Sequence, residues 1–328
     1  MSFAALGLAL LLAVHLLVST VLSLLVGLAL PWVAPRAGGP PARGAATLLF
    51  LGLLPSLGGL VAALGLALPA WIVHEPRGSA ETAGPVLVAL AAAGAALVLA
   101  RAGAALLDLW RTSRLERQWS SAGRPLAGLS LPATRFAHEF PVAAIIGLRR
   151  GRLFLADGLL RALSPEEIDS VVAHEAAHRA ARDNLKRLLL RASPDLLALS
   201  GPGLRLRQGF EEAAEAEADD RACARVSPLV LARALLKVAA LVPPGRGLDA
   251  ALVAFHRDGS LSARVRSLVA AHERTFASAA SPDQAHRPVK RGLGAALTVA
   301  VLSALVVAGS LSLPLVHGLL ESLVHLMS

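Results

Sequence analysis

The chain has 328 residues, 55% of them hydrophobic and only 17% charged, with a formal net charge of +9. So apolar a composition excludes a simple water-soluble globule and reads as a chain that spends much of its length in a bilayer. The charge does not point to nucleic acid, because the basic residues gather beside apolar segments, no basic–aromatic interleaving occurs and tyrosine is absent.

Taken in chain order, three apolar segments open the sequence, residues 3–33, 45–73 and 83–107, and a fourth, 292–326, closes it. Each exceeds the roughly 20 residues that a spanning helix needs. The first is not a signal peptide: it lacks a basic start, runs too long and is followed by further spans. Pro55 and Pro69 predict kinks in the second span. The loop after the first span carries Arg36 and Arg43 and no acid, whereas the loop after the second is net acidic. Arg101, Arg111, Arg114 and Arg117 follow the third span, and Arg287, Lys290 and Arg291 precede the fourth. Basic flanks are retained in the cytoplasm, so the N-terminus is expected outside and the large domain inside a cell membrane crossed four times. The expected organisation is residues 1–108 as three transmembrane helices, 109–291 as a cytoplasmic domain and 292–328 as the last transmembrane helix. His15 lies within the first span, and His317, Glu321 and His325 share a helix face in the last. The latter three read as groups near a helix end reaching headgroups, not as a second metal site.

The domain opens on a basic amphipathic stretch, residues 109–119, expected to lie on the membrane face. A Pro/Gly-punctuated region, 120–134, follows. Residues 142–147 and 153–155 then read as a β-hairpin turning at Arg149-Arg150-Gly151, with a strand that could pair with an extended peptide.

A helix is predicted over 164–190, and it contains His174-Glu175-Ala176-Ala177-His178. Residues four apart share a helix face, so His174 and His178 can offer two imidazoles to one metal, and Glu175 stands beside them without being a ligand. A metal-activated water needs such a carboxylate to take its proton, which makes peptide-bond hydrolysis the leading chemistry. A third ligand must come from elsewhere. The acidic helix 211–221 places Glu215 and Asp219 four residues apart, so one can ligate while the other holds a ligand histidine by its second nitrogen. Glu211, Glu212 and Glu217 read as a solvated face. The single cysteine, Cys223, excludes an intrachain disulfide, fits a reducing compartment and reads as a small buried residue of this helix, not a ligand. Residues 228–241 form a further helix broken by Pro243-Pro244-Gly245.

Beyond these local readings, Glu215-Ala216-Glu217-Ala218-Asp219 resembles the E-x-E-A-D box of membrane gluzincins. The stretch from Gly151 to Leu160, then Leu163-Ser164-Pro165-Glu166-Glu167-Ile168 and, past the histidines, Arg182-Asp183-Asn184-Leu185 resemble the BlaR/MecR type of membrane zinc metallopeptidase, related to the HtpX and Ste types. The resemblance covers roughly residues 140–268 and the arrangement of spans around them. It implies Glu215 as the third zinc ligand, Asp219 as the group that orients a ligand histidine, and one Zn2+ per chain. A late R-V-x-x-L element, here from Arg264, is shared with these families and implies a late Arg or His facing the site. With no tyrosine to help stabilise an oxyanion, His256 and Arg264 are the residues for that role. Asp183 and Asn184 are expected to cap or brace the end of the zinc helix. Only Met327 and Ser328 follow the last apolar segment, so the extracellular sensor domain of the BlaR/MecR type is not expected here.

The resulting expectation is a mainly α membrane protein: four transmembrane helices with an inserted α+β gluzincin-type protease domain carrying a small β-hairpin or sheet. It is expected to be a zinc-dependent endopeptidase acting on a protein or peptide substrate at the cytoplasmic face, in contact with the lipid bilayer and with a sensor or repressor partner of unknown identity. The alternatives are a Ste- or HtpX-type housekeeping protease and a non-enzymatic scaffold or sensor with structural zinc. An intramembrane protease is disfavoured, since Arg179, Arg182, Asp183, Lys186 and Arg187 make the motif's surroundings too polar for lipid.

Overall fold

The structure, a computed structural model, describes residues 2–33, 41–75, 83–148, 151–241, 258–279 and Gly318. The expected fourth span, His256, the trio His317, Glu321 and His325, and the turn residues Arg149 and Arg150 lie outside the described residues.

Long runs of Leu, Ala and Val give α1 (Phe3–Val33), α2 (Pro41–Val61), α3 (Leu68–His74) and α4 (Pro85–Ala122). Among the described residues three stretches, Phe3–Trp32, Gly44–His74 and Pro85–Ala122, are long and apolar enough to cross a membrane. In lipid a helix satisfies every backbone group internally, which is why such sequences have few alternatives. α1 is the central helix, packed against both α2 and α4. Small residues permit the close approach: a Cβ on Gly94 would lie 2.8 Å from the Leu12 carbonyl oxygen. The irregularity predicted by the prolines appears as a π-helical turn, Ala62–Ala67, just before Pro69. Pro69 lacks an N–H and its ring displaces the carbonyl of Gly65, four residues back, so the widened turn falls where the regular ladder fails.

α4 runs unbroken across the expected domain boundary near residue 108. The basic stretch expected as a separate membrane-surface element is therefore the end of α4. That end is docked on the sheet by Trp119, which stacks on Phe136 at 4.3 Å and meets Phe154 edge-on at 5.7 Å. No Gly or Pro interrupts 104–122, and Gly123 ends the helix.

The sheet has four strands, β1 (Arg124–Leu126), β2 (Ala133–Phe136), β3 (Ala143–Ile146) and β4 (Arg152–Ala156), in the order β1-β2-β4-β3. β3 and β4 are the expected hairpin; β2 joins β4 in parallel and β1 joins β2 antiparallel. β1 and β2 fall in the punctuated region, where their short length hid them. β3 is an edge.

Helices α5 (Asp157–Ala162), α6 (Pro165–Ala181), α7 (Asp183–Ala192), α8 (Gly201–Cys223), α9 (Pro228–Leu241) and α10 (Asp258–Ala279) follow, with a 3-10 turn at Leu197–Leu199. Leu153 and Leu155 of β4 pack with Leu159, Leu163, Val171, Val172, Ala234 and Val238. Phe154 and Ala156, on the opposite face, join Trp119, Phe136, Val142 and Ile146. β4 thus buries both faces and fixes α6 against the sheet. The helix expected over 164–190 is in fact two, broken at Arg182, which adopts the left-handed conformation with φ 57° and ψ 41°. α7 lies against α2 and α4, and α8 lies against α1 and α2.

Candidate active site

α6 is started by a capping box: the Ser164 hydroxyl accepts from the Glu167 N–H, and the Glu167 carboxylate accepts from the Ser164 N–H at 2.8 Å. Glu167 also accepts from Lys237 Nζ of α9 at 2.8 Å. Burial pushes the Glu167 carboxyl up, but Lys237 and the Ser164 N–H outweigh it and hold it below its usual range. These contacts set the rotation of α6, so that Val171 and Val172 enter the core and His174 and His178 face α8.

The two imidazole Nε2 atoms lie 3.1 Å apart. Glu215 of α8 closes the triangle, with Oε2 at 3.5 Å from His174 Nε2 and Oε1 at 3.4 Å from His178 Nε2. Each ring is held from behind by a carboxylate: His174 Nδ1 is 2.9 Å from Asp219 Oδ1, and His178 Nδ1 is 2.8 Å from Asp183 Oδ2. Protons on the Nδ1 atoms satisfy those carboxylates and leave lone pairs on both Nε2 atoms, aimed with the Glu215 carboxylate at one point. With His178 deprotonated at Nε2 these three acceptors repel one another unless a cation sits there; in the metal-free protein a proton on His178, favoured by Asp183 and Glu215, relieves that repulsion. Tetrahedral zinc with bonds of about 2.0–2.1 Å separates its ligands by about 3.3 Å, and the observed 3.1–3.5 Å edges match that. The residues therefore fit a metal, and His174, His178 and Glu215 form the metal-ligating group found among the described residues.

The break at Arg182 places Asp183. On a continuous helix a residue five positions past His178 would point away from it; the left-handed turn swings Asp183 back under the ring. Asp183 is buried and also accepts from Lys186 Nζ at 2.8 Å. Burial raises its carboxyl, but His178 and Lys186 hold it below the usual range. His178 is itself pushed up to about 10: burial opposes this, and Asp183 and Glu215 outweigh it. Glu215 stays well below the carboxylate range despite burial, because His174 and His178 stabilise its charge.

Glu175 is buried, and its Oε2 accepts from the Ile145 N–H of β3 at 3.1 Å. Burial raises its pKa against the opposing pull of His178 and His174. The Ala156 N–H donates to the Val142 carbonyl, so residues 142, 144 and 146 bond to β4 while 143 and 145 turn their backbone groups to the free edge. At Ile145 those groups are occupied, the N–H by Glu175 and the carbonyl by Asn184 Nδ2 at 2.8 Å; Asn184 also donates to the Gly147 carbonyl at 3.1 Å. Asn184 thus braces the edge strand, a more specific task than the expected brace at the helix end.

Arg264 of α10 makes two 2.8 Å bonds to Asp219 and lies 3.0 Å from Glu215 Oε2. The side chain expected to stabilise an oxyanion is thus engaged with the carboxylates behind and beside the histidines. Arg187, which sequence reasoning did not single out for the site, bonds Glu211 at 2.8 Å and lies 3.7 Å from Glu215 Oε1; its only signal was its place just past the motif. Glu211 is therefore an ion-pair partner. Glu217, expected to be solvated, is buried and paired with Arg221 one turn on; Glu212 is exposed as expected. Cys223 packs beside Ala222 and Leu231, its thiol pushed up to about 11 by burial, and it is not among the converging ligands.

The family model described as Peptidase family M48 matches residues 105–278, just over half of the 328 residues, from within α4 to the end of α10. No curated protein and no solved structure matches the chain.

Proposed function

The chain belongs to peptidase family M48, and we propose that it is a zinc-dependent endopeptidase of the cell membrane, cleaving a protein substrate at the cytoplasmic face. That it is a metallopeptidase follows from the family; zinc, internal cleavage and sidedness are the proposal. The observation that carries it is the convergence of His174 Nε2, His178 Nε2 and the Glu215 carboxylate at tetrahedral-edge spacing, with the Glu175 carboxylate beside them.

His174, His178 and Glu215 would hold the metal, with Asp219 and Asp183 fixing the tautomer of each ring. When bound, zinc supplies Lewis acidity that brings a water's pKa toward about 7 and polarises a carbonyl. Glu175 then acts as the base: its carboxylate takes the proton of the attacking water and returns it to the leaving nitrogen. An extended substrate would add to the free edge of β3 through the outward N–H and carbonyl of Ala143, as strand addition does elsewhere. Arg264 serves by holding Asp219 and Glu215 in place, which leaves His256 as the group to test for the oxyanion. Regulatory cleavage, of a repressor or a membrane protein in the manner of the BlaR/MecR type, is the finer reading; housekeeping turnover of the HtpX or Ste type is the alternative.

Replacing Glu175 by Gln keeps shape and hydrogen bonding but removes the base. Metal content and folding should survive while cleavage falls at least about a hundredfold. Equal activity of E175Q and the parent, both fully metallated, would overturn the protease reading in favour of a structural-zinc module. The protein that accumulates uncut in cells carrying E175Q identifies the substrate and separates the regulatory reading from housekeeping.

A further inference from the structure

The segment joining the two halves of the metal site, α7, residues 193–200 and the first half of α8, has no part in the chemistry above, yet it is tied at every turn to the apolar helices. A Cβ on Gly52 of α2 would lie 2.5 Å from a Leu190 methyl, and one on Gly27 of α1 would lie 3.5 Å from Pro202. Val26, Leu30, Ala45 and Leu48 share one apolar cluster with Leu190, Leu197, Leu206 and Phe210.

The tip is locked by polar groups that the spans supply. His15 Nε2 lies 3.1 Å from the Pro194 carbonyl, and the Ser23 hydroxyl accepts from the Leu197 N–H at 3.2 Å. The Ser56 hydroxyl donates to Asp195, and Arg101 donates to the carbonyls of Ser193 at 3.0 Å and Leu190 at 3.1 Å. A hydrocarbon slab ~30 Å thick, placed anywhere along a helix ~45 Å long, covers its central ~15 Å, here about residues 13–23 of α1 and 54–64 of the second span. His15, Ser23 and Ser56 fall in those windows.

Six of the seven N–H groups in residues 193–200 are hydrogen-bonded within the protein, that of Leu196 being the exception. The N–H groups of Ser193, Asp195, Leu199 and Ser200 donate to backbone carbonyls, that of Ala198 donates to Asp195 Oδ1, and that of Leu197 donates to Ser23. Pro194 has none to satisfy. Buried backbone is largely paired in any fold, and irregular backbone at membrane depth is tolerated where protein groups supply that pairing, as the spans do here. Outside this polar lock, Leu196, Leu199 and Leu204 are 40%, 66% and 50% exposed. Leu24, Leu25 and Leu28 of α1, neighbours in sequence of Ser23 and Gly27, which touch this segment, are exposed as well. Along α8 the exposed positions then turn polar, Arg205, Gln208 and Glu212, the first able to send its head toward the surface along its stem. Asp108 and Arg191 pair nearer the aqueous end.

We propose that residues 183–210 form a re-entrant hairpin whose tip enters the hydrocarbon region among α1, α2 and α4 and whose outward leucines, Leu196, Leu199 and Leu204, contact lipid acyl chains. α8 rises about 18 Å from Gly203 to Glu215 at 1.5 Å per residue, which brings the metal ligands to the lipid–water boundary. The placement does not depend on metal or on catalysis.

The test uses the full chain in lipid vesicles, with Cys223 replaced by Ser and single cysteines introduced at Leu196, Leu199 or Leu204 for nitroxide labelling. Collisional access to oxygen, which concentrates in lipid, is compared with access to a water-soluble nickel chelate. Leu99, an exposed residue of α4, is the lipid reference, and Glu166, exposed at the start of α6, is the water reference. Labels at Leu199 and Leu204 should match Leu99: oxygen access above nickel access. Nickel access above oxygen at these sites, as at Glu166, overturns the proposal by placing the hairpin in water. Low access to both overturns it too, by showing that protein, a second copy or residues 292–326, covers the leucines. Three label sites guard against a single misfolded variant, and retained metal content certifies each.

Discussion

Asp183 offers a quantitative test of the site, because its charge acts directly on a metal-ligand ring. It is buried, holds His178 Nδ1 at 2.8 Å and has Lys186 as its other partner. D183N keeps the shape and leaves an oxygen able to accept from the ring, but removes the charge that makes the imidazole a strong donor to metal. Loss of such a supporting carboxylate costs about 10- to 100-fold in metal affinity, or about 1.4–2.7 kcal/mol. The deficit should depend on pH. In the metal-free parent His178 is held protonated up to about 10, so metal must displace a proton and binding tightens as pH rises toward that value. D183N lowers the His178 pKa and so weakens proton competition, which offsets part of the lost ligand strength at low pH. The gap between parent and variant should therefore be widest in alkaline buffer and narrow as pH falls. Zinc dissociation constants by chelator competition from about pH 6 to 9, below the His178 value, on purified protein in detergent, measure this. Affinities that coincide within twofold across the range would refute the assignment of Asp183 as the support of His178.

Three further outcomes are expected. Purified protein should carry about one zinc per chain, and H174A, H178A or E215A should each lose most of it by elemental analysis; full retention in E215A would move the third ligand to Glu211, Glu212 or Asp219. In the metal-free protein, the raised His178 contributes stability that is complete below its unfolded pKa of about 6.5 and is lost as pH rises through about 10. The depressed Glu215 contributes stability above its unfolded value that is lost on acidification. Thermal unfolding of chelated protein should therefore show a mildly acidic optimum and an alkaline decline that saturating zinc removes; an unchanged midpoint between about pH 6.5 and about pH 10 without metal contradicts the His178 environment. For sidedness, a reporter fused after Arg117 should read cytoplasmic and one at Ser79 external, and the reverse pattern would show that the loop charges do not set the orientation.

The local rules of the sequence determined more of the site than of the fold. Helical spacing alone put His174 and His178 on one face with Glu175 beside them, and put Glu215 and Asp219 on another, because i to i+4 geometry is intrinsic to a helix. Apolar length alone marked four spans, three of which fall on described helices, because a bilayer leaves a long apolar run little choice but helix. What Glu215 and Asp219 each do was open to local reasoning. The packing of α6 on α8 decided it, setting Glu215 against both Nε2 atoms and Asp219 behind His174. The break at Arg182 was invisible because no Gly or Pro marks it; it is held by contacts on either side, Asp183 to His178 and Asn184 to β3. Arg264 could be named as a site residue, but its role was set by Asp219 and Glu215, partners far back along the chain on another helix. Likewise nothing local in residues 193–200 announces depth in a membrane: His15, Ser23, Ser56 and Arg101 supply that, from three helices distant in the sequence. Spacing along one helix is written in the chain, whereas contact between elements depends on how their surfaces pack, which only the folded molecule decides.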